Sequence, residues 1–304
     1  MRKHQAQTIV VGLWAFLLLL WSSMLSAEVT TELKTKVETE AETEVETDAE
    51  TDAETERDFW NTSNESNPDK IDHSAWQAIL DSYLKSSHPS GINRFDYANL
   101  KANTADKLKL KSYLLYLKRL DPRTYSKAEQ KAYWINLYNA LTIRIVVNEY
   151  RSVTSIKRVG DPFFGPWDKD LIKIQGKILT LNNIEQNILH SVWNDNRLYY
   201  ATNSACLGCP NLASEAYTAA NTEILLEKSA KDYVNHSRGV LCESNSKLLV
   251  SSLYQWYKAD FGGTDEGVIK YLLKYAEPES DLASCLQDYK GPITHSYDWE
   301  LNNP

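Results

Sequence analysis

The sequence predicts an α+β fold: a mostly helical single domain with β-hairpins and a central buried helix. Three observations carry this reading. Apolar residues recur at helical spacing between Ile71 and Leu120. The segment AYWINLYNALTIRIVVNEY (132–150) is apolar nearly all round, the pattern of a helix covered on every side. Short alternating runs around Gln175-Gly176 and Ser244-Asn245-Ser246 read as hairpins. Helices and hairpins alternate without regular βαβ units, which argues against a parallel α/β sheet.

The chain opens with Arg2, Lys3 and His4, an apolar run Ile9–Leu25, and then Ser26-Ala27. A basic start, an apolar middle and a small residue before the cut predict a signal peptide, or an N-terminal anchor, over 1–27. The protein is therefore expected to be exported, periplasmic or secreted, with a membrane tether only through residues 9–25. Residues 28–69 read as an acidic, disordered spacer, in which 37–56 are five tandem tetrapeptides from VETE to AETE. Like charges at that density repel, and no Lys four residues on relieves them. Of 41 acids and 33 bases, 13 and 3 fall within residues 28–60. The remainder after residue 60 holds 28 of each, so its balance gives no charge-based reason to bind nucleic acid. Asn61, Asn64 and Asn235 begin glycosylation sequons, which matter only in a host that glycosylates.

The globular domain is placed at 70–304. Trp76, Leu80, Tyr83 and Leu84 share one helical face, and Asn93–Tyr97 is a short extended piece. Thr104 caps a helix that Asp121-Pro122 stops. Ser126 and Glu129 form a capping box that opens the central helix, and Asn182 and Glu185 form a second one for a short helix through His190. Between these, 171–181 is a hairpin around Gln175-Gly176. Arg197–Thr202 is read as a strand and Asn203–Asn211 as a loop. A helix over 222–234, a hairpin over 241–250 and helices over 252–260 and 265–276 follow, with Tyr297-Asp298-Trp299 as a tail strand.

The loop after Arg197 holds the densest set of reactive groups. Ser204, Cys206 and Cys209 are candidate nucleophiles, since a thiolate near backbone N–H groups is reactive. An exported chain with four cysteines instead favours disulfides, of which three pairings are open. Gly208 permits a tight 206–209 turn, leaving 242–285 as the expected partner pair. Zinc fits poorly without a second C-x-x-C, so no metal and no cofactor is expected. Asn136 and Asn139 lie on one face of the central helix. With Asn203 and His190 they are binding candidates, although bracing of loop backbone is the simpler role for buried amides. Trp256, Tyr257 and Asp260 read as core and cap residues.

The segments AYWINLYNALTI, GPWDK, LTLNNIEQNIL, RLYYATNSACLGCPNL, VNHSRGV, SSLYQWYKADFGG and YDWELN, in this order, resemble the DUF547 family over roughly residues 70–302. The resemblance implies one compact domain and no settled activity. It also implies departures: family members tend to have His at the positions of Gln186 and Tyr199, Cys at Ser204 and Ser at Cys206. A thiol–imidazole pair is not reproduced at those positions. The favoured reading is a non-catalytic envelope domain that binds a partner or small ligand. The alternative is a hydrolase or acyl-transfer enzyme with a Ser or Cys nucleophile in the 203–209 loop.

Overall fold

A computed structural model describes residues 55–150, 153–160, 165–243 and 247–304. The expected leader over 1–27 and the acidic repeats through residue 54 lie outside the described residues. Arg57–Pro304 is one compact unit. It begins earlier than the boundary at residue 70 read from the sequence, because Trp60 is fully buried and meets the Trp134 ring edge-on at 5.0 Å.

Helix α1 (Ser74–Tyr83) leads into a two-stranded antiparallel pair, β1 (Leu84–Lys85) with β2 (Arg94–Phe95). Helix α2 (Tyr97–Ala102) is capped by Asp96 and α3 (Thr104–Arg119) by Asn103, one residue before the expected Thr104. Helix α4 (Lys127–Glu149) is buried without a break from Ala132 to Ile143 and is the axle of the larger core. Ser126 accepts from the Glu129 N–H, as a cap should, but the Glu129 carboxylate accepts from the Ile71 N–H at 3.1 Å.

Strands β3 (Ile172–Ile174) and β4 (Lys177–Leu179) form the expected hairpin. Its turn residues Gln175 and Gly176 both have positive φ (46° and 84°), as a two-residue turn matched to strand twist requires. A π-helix follows over Asn183–His190. Its start is closed by Thr180 and Asn183, whose side chains each accept from the other's N–H, rather than by Asn182 and Glu185. Arg197–Thr202 is not a strand. Residues Asn196–Tyr200 form a 3-10 helix, with Asp195 accepting from the Arg197 N–H and gripping its guanidinium. Leu198, Tyr199 and Tyr200 are all buried, on two different cores, so the β-prone aromatics follow tertiary packing and not strand alternation.

Helix α5 (Thr222–Val234) matches the sequence reading. Strand β6 (Lys247–Ser251) pairs antiparallel with β5 (Val240–Glu243) and parallel with β7 (Ile293–Ser296). Helices α6 (Leu253–Trp256), α7 (Asp265–Tyr275) and α8 (Asp281–Asp288) complete this second core. The sequence reading missed α8 and β7 and made α6 too long. Cys242 on β5 is joined to Cys285 on α8, and Cys206 to Cys209, the pairing expected from the sequence. Among the described residues no helix is long and apolar enough to cross a membrane.

Candidate functional site

The 202–210 loop is held from two sides. From below, α4 presents Asn136 and Asn139 one turn apart. Asn139 donates to the Ala201 carbonyl (2.9 Å) and accepts from the Asn203 N–H (2.9 Å). Asn136 does the same for Tyr217, at 2.7 and 3.0 Å. Asn203 repeats the device within the loop, donating to Pro210 and accepting from the Ala205 N–H. All three amides are buried and their oxygens and nitrogens are engaged by backbone, so they are braces. From above, the C-terminal segment runs along the loop: Leu207 and Gly208 N–H groups donate to Glu300 and Asp298, and Asn302 donates to Ala205. A Cβ on Gly208 would lie 2.6 Å from the Asp298 nitrogen, so this approach requires glycine. Between these supports Ala205 takes a φ of 60°, unusual for a side-chain-bearing residue, immediately after Ser204.

Ser204 opens into a cleft of about 280 Å³. Its lining combines polar groups, Ser204, Thr202, Glu185, Asn182 and Asp168, with aromatic ones, Trp167, Trp256, Tyr257, Tyr297 and Trp299. Trp256 stacks on Trp299 at 5.4 Å, Tyr297 packs against both, and Trp167 meets Trp299 edge-on. Trp256 is 47% exposed, which corrects its reading as a core residue. Asp260, likewise, accepts from the Tyr199 hydroxyl at 2.5 Å.

Glu185 is the ionisable group whose setting matters most. It is buried, and the Thr202 hydroxyl donates to it at 2.5 Å. Burial raises its pKa, against the hydrogen bonds from Thr202 and Gln186 that lower it. Asp168 accepts from the Asn182 amide at 2.7 Å. Ser204 lies 3.0 Å from the Tyr138 hydroxyl. Tyr138 is fully buried, and burial lifts its pKa well above 10, so it is no base for a serine. Tyr199 stands where the family resemblance implies His. Its ring is stacked between His190 at 3.7 Å and Tyr257 at 4.2 Å, and its hydroxyl is spent on Asp260. His190 is a layer behind it, held down to about 4 by burial, and its Nε2 has no partner among the described residues. Cys206 and Cys209 are buried and joined to each other.

Of the residues singled out from the sequence, the structure brings Ser204 to the cleft and places Asn136, Asn139 and Asn203 in its scaffold. The aromatic wall was missed as a site, because Trp167, Trp256 and Trp299 come from three distant segments that share no motif. Glu185 was read as a cap; the only local signal against that was the alternative box offered by Thr180 and Asn183. Among the described residues no three His, Cys, Asp or Glu side chains are grouped to hold a metal ion.

The model of a family described as protein of unknown function, DUF547, matches residues 122–234. No curated protein and no solved structure matches the chain. The matched span contains α4, Glu185 and the Ser204 loop, whereas Trp256, Tyr297 and Trp299 lie beyond it.

Proposed function

Taking residues 122–234 as DUF547-family sequence, we propose that the protein is an exported, non-catalytic envelope domain whose aromatic cleft binds a small uncharged ligand, a saccharide ring by its chemistry. The observation that carries the reading is the partner of Ser204: a buried tyrosine hydroxyl with a raised pKa, and not an imidazole or carboxylate. A serine needs an adjacent base to become a nucleophile. The two thiols nearest in sequence are tied to each other. Two disulfides also favour an oxidising compartment, in keeping with the leader-like N-terminus.

The ligand class follows from this mixed lining. Aromatic faces take the apolar face of a ring, and the hydroxyl, amide and carboxyl groups beside them offer both donors and acceptors, which suits a ligand rich in hydroxyls. Isothermal titration with N,N′-diacetylchitobiose tests it. Saturable heat is expected for the full chain and its loss in Trp256→Ala, whose half-exposed ring contributes little to the core. No saturable heat, or equal binding by the variant, would remove the saccharide reading.

A further inference from the structure

A second cavity, which shares no lining residue with the cleft, lies where α3 passes the C-terminal half of α4 and the 169–171 segment. Its volume is about 480 Å³, within the range of small-molecule sites. Leu110, Ile145, Val147 and Val159 form a buried apolar floor. Lys107, Lys111, Arg144 and Lys169 stand around it; among the described residues its lining carries two carboxylates, Glu149 and Asp170.

Among the described residues none of these four cations forms an ion pair. The nearest acid on the same helix, Asp106, is taken by Lys109 at 2.8 Å and by the Tyr83 hydroxyl at 2.7 Å. The carbonyls that end α4, at Asn148 and Tyr150, are taken by Lys101. Arg144 is half-buried, and its one hydrogen bond among the described residues goes to the Leu171 carbonyl at 3.2 Å. A guanidinium has five N–H donors, of which that bond uses one, and burial disfavours its charged form.

We infer that this cavity binds an amphiphilic organic anion, its apolar body on the floor and its carboxylate or phosphate head on Arg144, with Lys107 and Lys111 alongside. Charge-assisted, two-pronged contact from a guanidinium suits such a head group, and the floor excludes a bare inorganic ion as the preferred occupant. The site shares no lining residue with the aromatic cleft.

Titration of the full chain with decanoate, decanol and decyltrimethylammonium tests the inference. Saturable decanoate binding is expected, at least tenfold tighter than decanol, with none for the cation. Arg144→Gln should weaken decanoate at least tenfold, Arg144→Lys less, and Trp256→Ala not at all. Should Arg144→Gln fail to fold, Lys107→Ser/Lys111→Ser on the α3 surface gives the second reading: several-fold weaker binding with a shallower salt dependence. A parallel arm with phosphatidylglycerol vesicles distinguishes the source. Vesicle capture lost in Arg144→Gln identifies a membrane lipid head, and decanoate binding without capture identifies a free amphiphile. Equal affinity for decanoate and decanol, unchanged decanoate binding in the variants, or no binding of decanoate overturns the inference.

Discussion

Asn139→Ala separates a brace from a catalytic amide. In the native protein the Asn139 side chain satisfies two buried backbone groups, the Ala201 carbonyl and the Asn203 N–H, each at 2.9 Å. Alanine leaves both without a partner in a place water does not reach. An orphaned buried polar group costs about 1–3 kcal/mol, so two cost about 2–6 kcal/mol. Against a total stability of roughly 5–15 kcal/mol this is a large fraction, and some of the variant should unfold at physiological temperature. With an m-value of roughly 3 kcal/mol/M in urea, the unfolding midpoint falls by about 0.7–2 M. Equilibrium urea unfolding followed by tryptophan fluorescence reads this directly. A midpoint within about 0.2 M of the parent, or a cost under about 0.5 kcal/mol on the same m-value, would refute the bracing argument.

Four other outcomes follow from the same structure. His73 is buried and His190 half-buried, and desolvation holds both down to about 4, whereas an unfolded histidine titrates near 6.5; the unfolded chain therefore takes up protons first, and stability falls as pH drops from about 6.5 towards 4. Glu185, with its pKa raised by burial, works in the opposite sense as pH falls and offsets part of that loss; an unfolding midpoint no lower at pH 5 than at pH 7 would contradict the assignment of neutral histidines. Removing the Cys242–Cys285 bond, which spans 43 residues in sequence, should cost about 4 kcal/mol by chain entropy, and removing Cys206–Cys209 about half as much, read by denaturant melts and non-reducing peptide maps. Gly208→Ala should force the loop from the C-terminal segment and lower Tm by several degrees; unchanged Tm would show that the 2.6 Å approach to Asp298 relaxes freely. N-terminal sequencing of protein from the envelope should begin at Glu28, and an intact Met1 in membranes would make residues 9–25 an anchor.

Local rules made the helical frame legible. The Ser126 cap and the unbroken apolar stretch gave α4, the Gln175-Gly176 pair gave the β3–β4 turn, and spacing gave α5 to the residue. The cysteine pairing was legible because one pair is too close in sequence to do much else in a tight turn. What was not legible depends on partners far along the chain. The Arg197–Thr202 segment has strand-like residues, yet Leu198 faces one core and Tyr199 and Tyr200 another, a demand no window reveals. Strand β7 lies parallel to β6, and the long connection between them carries no turn signal for that pairing. The cleft joins Trp167 to Trp256 through Trp299, on the C-terminal segment that pairs with the 205–208 loop. Glu185 was legible as a carboxylate near a helix start, but its burial beside Thr202 was not.

The central claim is that Ser204 sits in a binding cleft paired with a tyrosine hydroxyl and not with a base that activates it. Incubating the native full-length protein with a fluorophosphonate, then mapping Ser204 by mass spectrometry, tests this most directly. The structure predicts an unmodified Ser204, because its 3.0 Å partner is a tyrosine hydroxyl that keeps its own proton. A stoichiometric adduct on Ser204, formed by folded protein and abolished by prior denaturation, would contradict it and establish the hydrolase reading instead.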